Sequence, residues 1–251
     1  MTHPVELRSE HDVLLRKLRS ISPLSEDEEQ CLRALPLSVK EIGADEVIVR
    51  EGDRPFACCL LLEGFACRYK FTDEGKRQIF SFHTPGDIPD LQSLHLKTMD
   101  HSLGTITKCK VAFIPHESIL KLTRSCPRVA DALWRDTLVD AAIFREWMIG
   151  IGRRSAYTRI AHLLCEVFVR LKAVDLTNGD RCDWPITQIE IGDALGLSNV
   201  HVNRSLQELR ADGLIELGGG SLRILDWQGL TKAGEFDLTY LHLSGDAEGV
   251  A

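Results

Sequence analysis

The chain has 251 residues, 44% of them hydrophobic, and a formal net charge of −7 at pH 7. Its length allows one large core or two smaller ones. The charge has the wrong sign for a protein that coats nucleic acid without regard to sequence, and from Arg153 onward 14 Asp and Glu outnumber 10 Lys and Arg. No run approaches the roughly 18 apolar residues of a membrane span, and the opening MTHPVELRSEHD has no apolar signal segment. We therefore expect a cytoplasmic protein without a membrane partner.

Eight cysteines are scattered along the chain without regular spacing. In a chain of this size without an export signal, reduced thiols that pack as small buried hydrophobes are the expected state. Cys58 and Cys59 are adjacent, so on a strand they point to opposite faces and do not suit a shared metal. No P-loop, G-x-S-x-G, H-E-x-x-H or C-x-x-C pattern is found. We predict no catalytic residue, no metal site and no cofactor.

The region from about Val39 to Ile114 consists of short apolar runs separated by turn signals. Four such signals recur about every 11 residues, a rhythm typical of an antiparallel sandwich or barrel. They are Gly52-Asp53, Glu63-Gly64, Glu74-Gly75 and Gly86-Asp87. The sequence therefore predicts a β domain.

A long helix is predicted after Pro127, where VADALWRDTLVDAAIFREWMI contains neither Gly nor Pro. Its apolar residues occupy more than one face: Trp134, Leu138 and Met148 share one, whereas Trp147 lies on another. Such a helix must be covered on several sides. The β domain provides one cover, and the same helix of a second copy provides the other; the alternative is a core helix within one larger domain. A further amphipathic helix is predicted from about Ala156 to Lys172.

A helix-turn-helix is predicted next. Thr187 and Glu190 form a capping box that begins a helix over Gln188–Leu195. Gly196 can take the positive φ of a helix stop, and Ser198 caps a second helix over Asn199–Ala211. The triple glycine between DGLIEL and SLRILD then indicates a β-hairpin, so that the whole segment predicts a winged helix.

The two faces of the second helix differ in character. At about 100° per residue, Val202, Leu206 and Leu209 fall on one side and face the core. The opposite side carries polar side chains suited to base edges, together with one valine suited to a thymine methyl. These residues are Val200, Arg204 and Gln207, flanked by Asn199, His201 and Asn203. The face indicates a reader of the major groove; the alternative is an ordinary solvated helix face.

With these residues, the chain resembles the Crp/Fnr superfamily of bacterial transcription regulators. ITQIEIGDALGLSNVHVNRSLQELRADGLIE resembles its DNA-binding signature, and EGD, LLLEG, TDEGK and TPGD resemble its β-roll turns, over about residues 24–225. The resemblance implies an α+β fold with a cyclic-nucleotide-binding-type β-roll, a long dimerisation helix and a winged helix-turn-helix. It implies a homodimer that binds a palindrome in double-stranded DNA, with RNA polymerase as an expected partner.

The domains that the resemblance implies are as follows. An N-terminal helical extension covers residues 1–20, the β-roll sensor 21–125, the dimerisation helix and hinge 126–153, the DNA-binding domain 154–236 and a C-terminal tail 237–251. A signal at the β-roll would shift the hinge near residues 150–152 and reorient the recognition helices.

Several site residues follow from the same resemblance. Arg204 matches the family's base-reading arginine, and Asn199 and Val200 match its two preceding base-contact positions. The second of these is commonly glutamate, so Val200 predicts a different half-site. Thr187, Ser198 and His201 match positions that hold phosphates and fix the register without specifying sequence.

The sensor half departs further from the family. Asp90 stands where the cyclic-AMP-binding branch has a ribose-binding glutamate, and His101-Ser102 where it has an Arg-Ser or Arg-Thr pair. A neutral imidazole is a poor replacement for a guanidinium that binds phosphate. Asp90, His101 and Ser102 are therefore named only as a candidate effector pocket, with cyclic nucleotides disfavoured.

Three other ways of sensing a signal are an iron–sulfur cluster, haem and a redox-active thiol. An iron–sulfur cluster is disfavoured because no cysteine precedes Cys31. Haem ligation by His83, His95 or His101 and redox control through one exposed thiol are left as minor alternatives. The competing function is a ligand- or redox-sensing module whose winged helix binds a protein partner, which the acidic C-terminal half favours. The segment GEFDLTYLHL receives no role.

Overall fold

The computed structural model describes residues 9–244. Its helices are α1 (His11–Arg19), α2 (Glu26–Arg33), α3 (His116–Ser125), α4 (Pro127–Arg153), α5 (Ala156–Lys172), α6 (Gln188–Leu195), α7 (Asn199–Ala211) and α8 (Trp227–Gly234). Its strands are β1 (Ser38–Ile42), β2 (Val47–Val49), β3 (Ala57–Glu63), β4 (Ala66–Phe71), β5 (Arg77–His83), β6 (Ser102–Thr105), β7 (Cys109–Pro115), β8 (Thr177–Asn178), β9 (Arg181–Asp183), β10 (Ile215–Gly218) and β11 (Ser221–Ile224). Short 3-10 helices cover Leu91–Leu94 and Leu238–Leu241.

The chain divides into two compact units. The first contains residues up to Ala66 together with His83–Thr137, and the second contains Cys67–Phe82 together with residues from Leu138 onward. Strands β4 and β5 therefore cluster with the second unit, although in sequence they lie within the predicted β-roll. The domain boundaries at residues 125 and 153, which follow the chain order of the elements, stay a prediction.

The first unit is built around antiparallel strands. β7 pairs with β1 on one side and β3 on the other, with Leu60 opposite Ala112. β3 is almost entirely buried, which explains why its sequence ACCLLLE is apolar without alternation. β2 pairs with β6. The β domain predicted between Val39 and Ile114 is confirmed.

Two helices precede the strands of the first unit. α1 buries Val13, Leu14 and Leu18 on one face, as an amphipathic helix does. α2 begins with a capping box between Ser25 and Glu28. The predicted N-terminal helical extension ends near α1, and its residues 1–8 lie outside the described part of the chain.

The expectation of eight reduced thiols is wrong for two of them. Cys31 of α2 and Cys126, between α3 and α4, form a disulfide with Cα atoms 7.1 Å apart. They are 95 residues apart in sequence, so no local spacing signals the pair. The expectation of buried thiols outside any disulfide holds for the other six: Cys58, Cys59, Cys67, Cys109, Cys165 and Cys182.

The long helix α4 has 27 residues and two kinds of surface. Val139, Ile143 and Trp147 are buried, whereas Trp134 and Leu138 are more than half exposed, as is Met148. The predicted hinge at residues 150–152 is helical here, and the helix is interrupted only at Arg154 and Ser155. No helix within residues 9–244 combines the length and apolar character that crossing a membrane requires.

The second unit is organised around α5, whose residues from Ile160 to Leu171 are all buried. α5 packs against α7 and α8, which explains why its sequence is apolar on more than one face. An antiparallel sheet in the order β10-β11-β9-β8 completes the unit. The predicted helix from Ala156 to Lys172 and the predicted hairpin after the helix-turn-helix are confirmed.

Candidate nucleic-acid interface

The first helix of the predicted helix-turn-helix begins as its sequence indicated. The Thr187 hydroxyl accepts a hydrogen bond from the Glu190 backbone N–H at 3.2 Å, and the Glu190 carboxylate accepts one from the Thr187 backbone N–H at 2.7 Å. These reciprocal bonds satisfy two amides that the helix cannot satisfy itself. Thr187 remains exposed at the start of α6.

The turn between α6 and α7 depends on two glycines. Gly196 ends α6 with φ of 65°, in the left-handed region that glycine adopts without strain. At Gly192, a Cβ atom would lie 2.7 Å from the backbone carbonyl oxygen of Leu197. The chain after the turn thus passes close to α6, and this approach fixes how α7 leaves the turn.

α7 buries the face that the sequence predicted. Val202, Leu206 and Leu209 are each 0% exposed. Ser198 caps the helix, because its hydroxyl accepts a hydrogen bond from the His201 backbone N–H at 3.4 Å and lies 2.9 Å from the His201 Nδ1 atom. The bounds of both helices agree with those expected from the capping residues and Gly196.

The opposite face of α7 is open to solvent. Val200 is 77% exposed and the Arg204 side chain 69% exposed. The Nε atom of Arg204 is 3.5 Å from a carboxylate oxygen of Glu208, a loose contact one turn further along. The other predicted members of this face are exposed as well: Asn199, His201, Asn203 and Gln207. The structure therefore brings the predicted base-reading residues together on one surface.

Two further residues of α6 lie at this surface and were not predicted from the sequence. Gln188 accepts a hydrogen bond from the Asn203 side-chain amide at 3.3 Å, which joins the starts of the two helices. Ile189 is 59% exposed, an apolar side chain on the outside of a helix. Its departure from the amphipathic pattern was the signal that could have identified it.

Side chains outside the helix-turn-helix hold α6 in place. Arg159 of α5 donates to the Leu195 carbonyl oxygen at 3.0 Å, at the end of α6. Within the same unit, Arg77 of β5 donates to the Asp193 carboxylate at 2.8 Å, and Gln78 donates to the Ala194 carbonyl oxygen at 3.1 Å. The β4–β5 region is therefore bonded directly to the first helix of the motif.

Two further contacts support α7 and the wing. Tyr157 donates to the Asp212 carboxylate at 2.6 Å at the end of α7, and burial followed by this hydrogen bond raises the pKa of Tyr157 to about 12. Arg210 donates to the Leu217 carbonyl oxygen at 2.7 Å, which fixes strand β10 of the wing against α7. These contacts hold the end of α7 to α5 and strand β10 of the wing to α7.

The candidate effector residues are engaged with their own domain. The Asp90 carboxylate is 0% exposed and accepts a hydrogen bond from the Cys59 backbone N–H at 2.7 Å. The Ser102 hydroxyl accepts one from the Glu51 backbone N–H at 3.0 Å. The Nδ1 atom of His101 lies 2.7 Å from the Asp100 carboxylate. A cavity of about 550 Å³ in this unit is lined by other residues, among them Lys40, Arg54, Phe56 and Phe113.

Comparison with known proteins gives matches to both halves of the chain. A cyclic nucleotide-binding domain matches residues 39–126, and a Crp-like helix-turn-helix domain matches residues 158–233. The nitrogen fixation regulation protein FixK of Bradyrhizobium diazoefficiens is 30% identical over 186 residues, 73% of this chain and 76% of that protein. The transcriptional activator protein FnrL of Cereibacter sphaeroides is 29% identical over 180 residues, 70% and 71% of the two chains. The solved structure of FixK2 from Bradyrhizobium japonicum has a TM-score of 0.72 and 26% identity, covering 79% of this chain and 98% of that one.

The fold and the exposed face of α7 define a DNA-binding transcription regulator with a cyclic-nucleotide-binding-type domain ahead of a winged helix-turn-helix. The chain belongs to the Crp/Fnr family of such regulators. The family and the α+β fold class expected from the sequence are confirmed.

Proposed function

We propose that this chain binds a palindromic operator as a homodimer and regulates transcription from it in the cytoplasm, without catalytic activity. The observation that carries the proposal is the exposed face of α7, with the Arg204 guanidinium outside and Val202, Leu206 and Leu209 inside. Arginine can bind guanine through two hydrogen bonds in the major groove. Because the net charge of −7 opposes general attraction to DNA, recognition must come from this local surface.

The proposed roles on α7 divide into two groups. Arg204, Val200 and Asn199 read base edges, with Gln207 and Asn203 beside them. Residues at the helix starts hold phosphates, which set the register of the protein on the duplex. These residues are Thr187, Ser198 and His201. Thr187 and Ser198 lie at helix N-termini, where backbone amides also favour a phosphate.

The exposed apolar face of α4 supports the homodimer. Trp134 is 66%, Leu138 51% and Met148 73% exposed, at spacings that place them on one side of the helix. Large apolar side chains exposed on one side of a helix mark an interaction surface. Two copies of α4 packed through it would hold two recognition helices about 34 Å apart, one turn of DNA.

The candidate effector pocket does not fit a cyclic nucleotide held in the manner of the cyclic-AMP-binding branch. The Asp90 carboxylate and the Ser102 hydroxyl bind backbone amides of their own domain, and His101 stands in place of a phosphate-binding arginine. We infer that any effector near Asp90, His101 and Ser102 has another chemistry. Because relatives such as FnrL are named transcriptional activators, we also propose contact with RNA polymerase.

The test is selection of bound fragments from a random DNA pool with the full chain, followed by affinity measurements on the selected palindrome. Arg204→Ala should weaken binding by about 1–3 kcal/mol and relax preference at one base position of each half-site. Arg124→Ala removes an exposed arginine of α3 and is the matched control, expected to leave binding unchanged. Equal binding by wild type and Arg204→Ala would reject the proposed interface.

The salt dependence of binding distinguishes the proposed function from the competing one, a winged helix that binds protein. Phosphate contacts release counterions, so log affinity for DNA should fall steeply and linearly with log salt concentration. A flat salt dependence would favour the protein-binding alternative.

A further inference from the structure

Two cysteines from distant parts of the chain meet in the first unit. Cys31 belongs to α2 and Cys126 follows α3, and the two form a disulfide although neither is fully buried. The six remaining cysteines are buried and form no disulfide. Burial raises the pKa of the Cys59, Cys109 and Cys165 thiols, which disfavours their reactive thiolate form. Cys31 and Cys126 are thus partly exposed, whereas the other six cysteines are buried.

Cys126 lies at the junction between α3 and α4. Its backbone carbonyl oxygen accepts hydrogen bonds from the amides of Val129 and Ala130 at 3.0 and 3.2 Å, so Cys126 caps the N-terminus of the 27-residue helix α4. The amide end of α4 favours a negatively charged sulfur at Cys126, whereas the carbonyl end of α3, which Cys126 also caps, opposes it. Arg128, two residues further on, places its Nε atom 3.0 Å from a carboxylate oxygen of Glu28 in α2. The junction therefore already joins α2 to the first turn of α4 through a second contact.

The expected compartment makes a permanent disulfide unusual. A protein that regulates transcription works beside DNA in a reducing interior, where disulfides are rare and mostly transient or redox-sensing. This step rests on the proposed function. An accessible pair at a helix junction fits the reversible class.

We propose that Cys31 and Cys126 form a reversible dithiol–disulfide switch that ties α2 to the start of α4 when oxidised. The oxidant is a small-molecule disulfide of the glutathione class. The Cys126 thiolate attacks one sulfur of that disulfide, whose S–S bond breaks and releases one thiolate, which takes up a proton. The Cys31 thiolate then attacks the Cys126 sulfur and displaces the second small thiol. The two protein thiols lose two electrons and two protons, which the oxidant gains as two thiols.

The test uses the full chain, reduced with dithiothreitol and then incubated with oxidised glutathione. Free thiols are alkylated with iodoacetamide under denaturing conditions and counted by mass. We expect eight alkylated cysteines in the reduced protein, six after oxidation, and a Cys31–Cys126 cross-linked peptide after digestion. Excess reduced glutathione should restore eight.

Variants give the order of the steps. Cys31→Ser should accumulate a glutathione adduct on Cys126, because no second thiol displaces it, whereas Cys126→Ser should react much more slowly. Cys182→Ser, which removes a buried thiol, is the matched control and should still lose two alkylatable thiols on oxidation. An unchanged thiol count, a cross-link between other cysteines, or a cross-link that reduced glutathione does not reverse would overturn the proposal. None of these readouts requires DNA, so failure of the switch and failure of the proposed DNA binding are distinguishable.

Discussion

Val200 places an apolar side chain at the centre of the exposed face of α7, at a position where the Crp/Fnr pattern commonly has glutamate. At 77% exposure its isopropyl group is available to a thymine methyl but cannot accept a hydrogen bond from cytosine. We expect Val200→Glu to shift one base of each half-site from thymine toward cytosine, by about 1–3 kcal/mol. Selection from a random pool with wild type and variant measures the shift, and Val200→Thr, which keeps a methyl group, is the control. Identical selected sequences for Val200→Glu and wild type would contradict this role.

Of the two glycines in the helix-turn-helix, Gly192 is the one that has no room for a side chain. A methyl group there would meet the Leu197 carbonyl oxygen at 2.7 Å, a backbone atom that cannot move alone. We expect Gly192→Ala to lower the free energy of unfolding by about 1–3 kcal/mol, the usual result of overpacking. Gly152→Ala is the matched substitution, since a Cβ there meets nothing within 4 Å and the residue lies in α4. It should raise stability by up to about 1 kcal/mol. Urea unfolding that shifts both variants in the same direction would be inconsistent with this geometry.

Three elements of the second unit meet at the buried carboxylate of Glu166 in α5. Glu166 is 0% exposed and accepts hydrogen bonds from the Trp147 indole of α4 at 3.0 Å and the Tyr240 hydroxyl at 2.9 Å. Arg170 lies one turn further along α5, 3.4 Å away. A buried carboxylate requires such partners. The C-terminal segment around Tyr240, to which the sequence analysis gave no role, therefore holds the end of α4 and α5 together. Residues 245–251 of the predicted tail lie outside the described part of the chain.

His162 adds a pH dependence to the same cluster. Its Nδ1 atom lies 3.0 Å from the Gly234 carbonyl oxygen and its Nε2 atom 3.1 Å from the Tyr240 hydroxyl, and burial lowers its pKa below the usual 6.5. The folded state therefore binds fewer protons at His162 than the unfolded state does. Its contribution to stability is complete above the unfolded pKa and is lost as the pH falls through the folded pKa.

We expect His162→Gln to lose less stability than wild type between about pH 7 and pH 5, because the titrating group is gone. Urea unfolding across this range measures the difference. His95→Gln removes an exposed histidine and should leave the pH dependence of wild type unchanged. A steeper fall in stability for His162→Gln would show that the histidine is protonated in the folded protein.

Features that depend on neighbouring residues could be predicted from the sequence, whereas contacts between distant segments could not. The bounds of α6 and α7 followed from Thr187, Gly196 and Ser198, because capping groups and a left-handed glycine act within one turn of the residues they affect. The outward face of α7 followed from helical periodicity for the same reason. Contacts between distant segments left no local sign. Examples are the Cys31–Cys126 disulfide, the Arg77–Asp193 ion pair and the Tyr240–Glu166 hydrogen bond.

At the scale of the whole molecule, symmetry compensates for a modest interface on each subunit. One α7 presents few side chains for the proposed reading of bases, and the net charge of −7 weakens general attraction to DNA. Two copies joined through α4 would double the base contacts without new residues. The affinity of the proposed regulator for a palindrome should thus depend on the exposed apolar face of α4, which lies outside the proposed DNA-binding residues.

Leu138→Glu tests this dependence. A carboxylate at position 138 would lose its hydration in the dimer, at a cost of several kcal/mol for the two copies. The same carboxylate stays solvated in the monomer, because position 138 is half exposed there. We expect Leu138→Glu to sediment as a folded monomer at concentrations where wild type is a dimer. Its affinity for a single half-site should stay near that of wild type, while its affinity for the palindrome falls to that of a half-site. Leu138→Met keeps the face apolar and should remain dimeric. A dimer of Leu138→Glu that still binds the palindrome tightly would place the subunit contact on a surface other than α4.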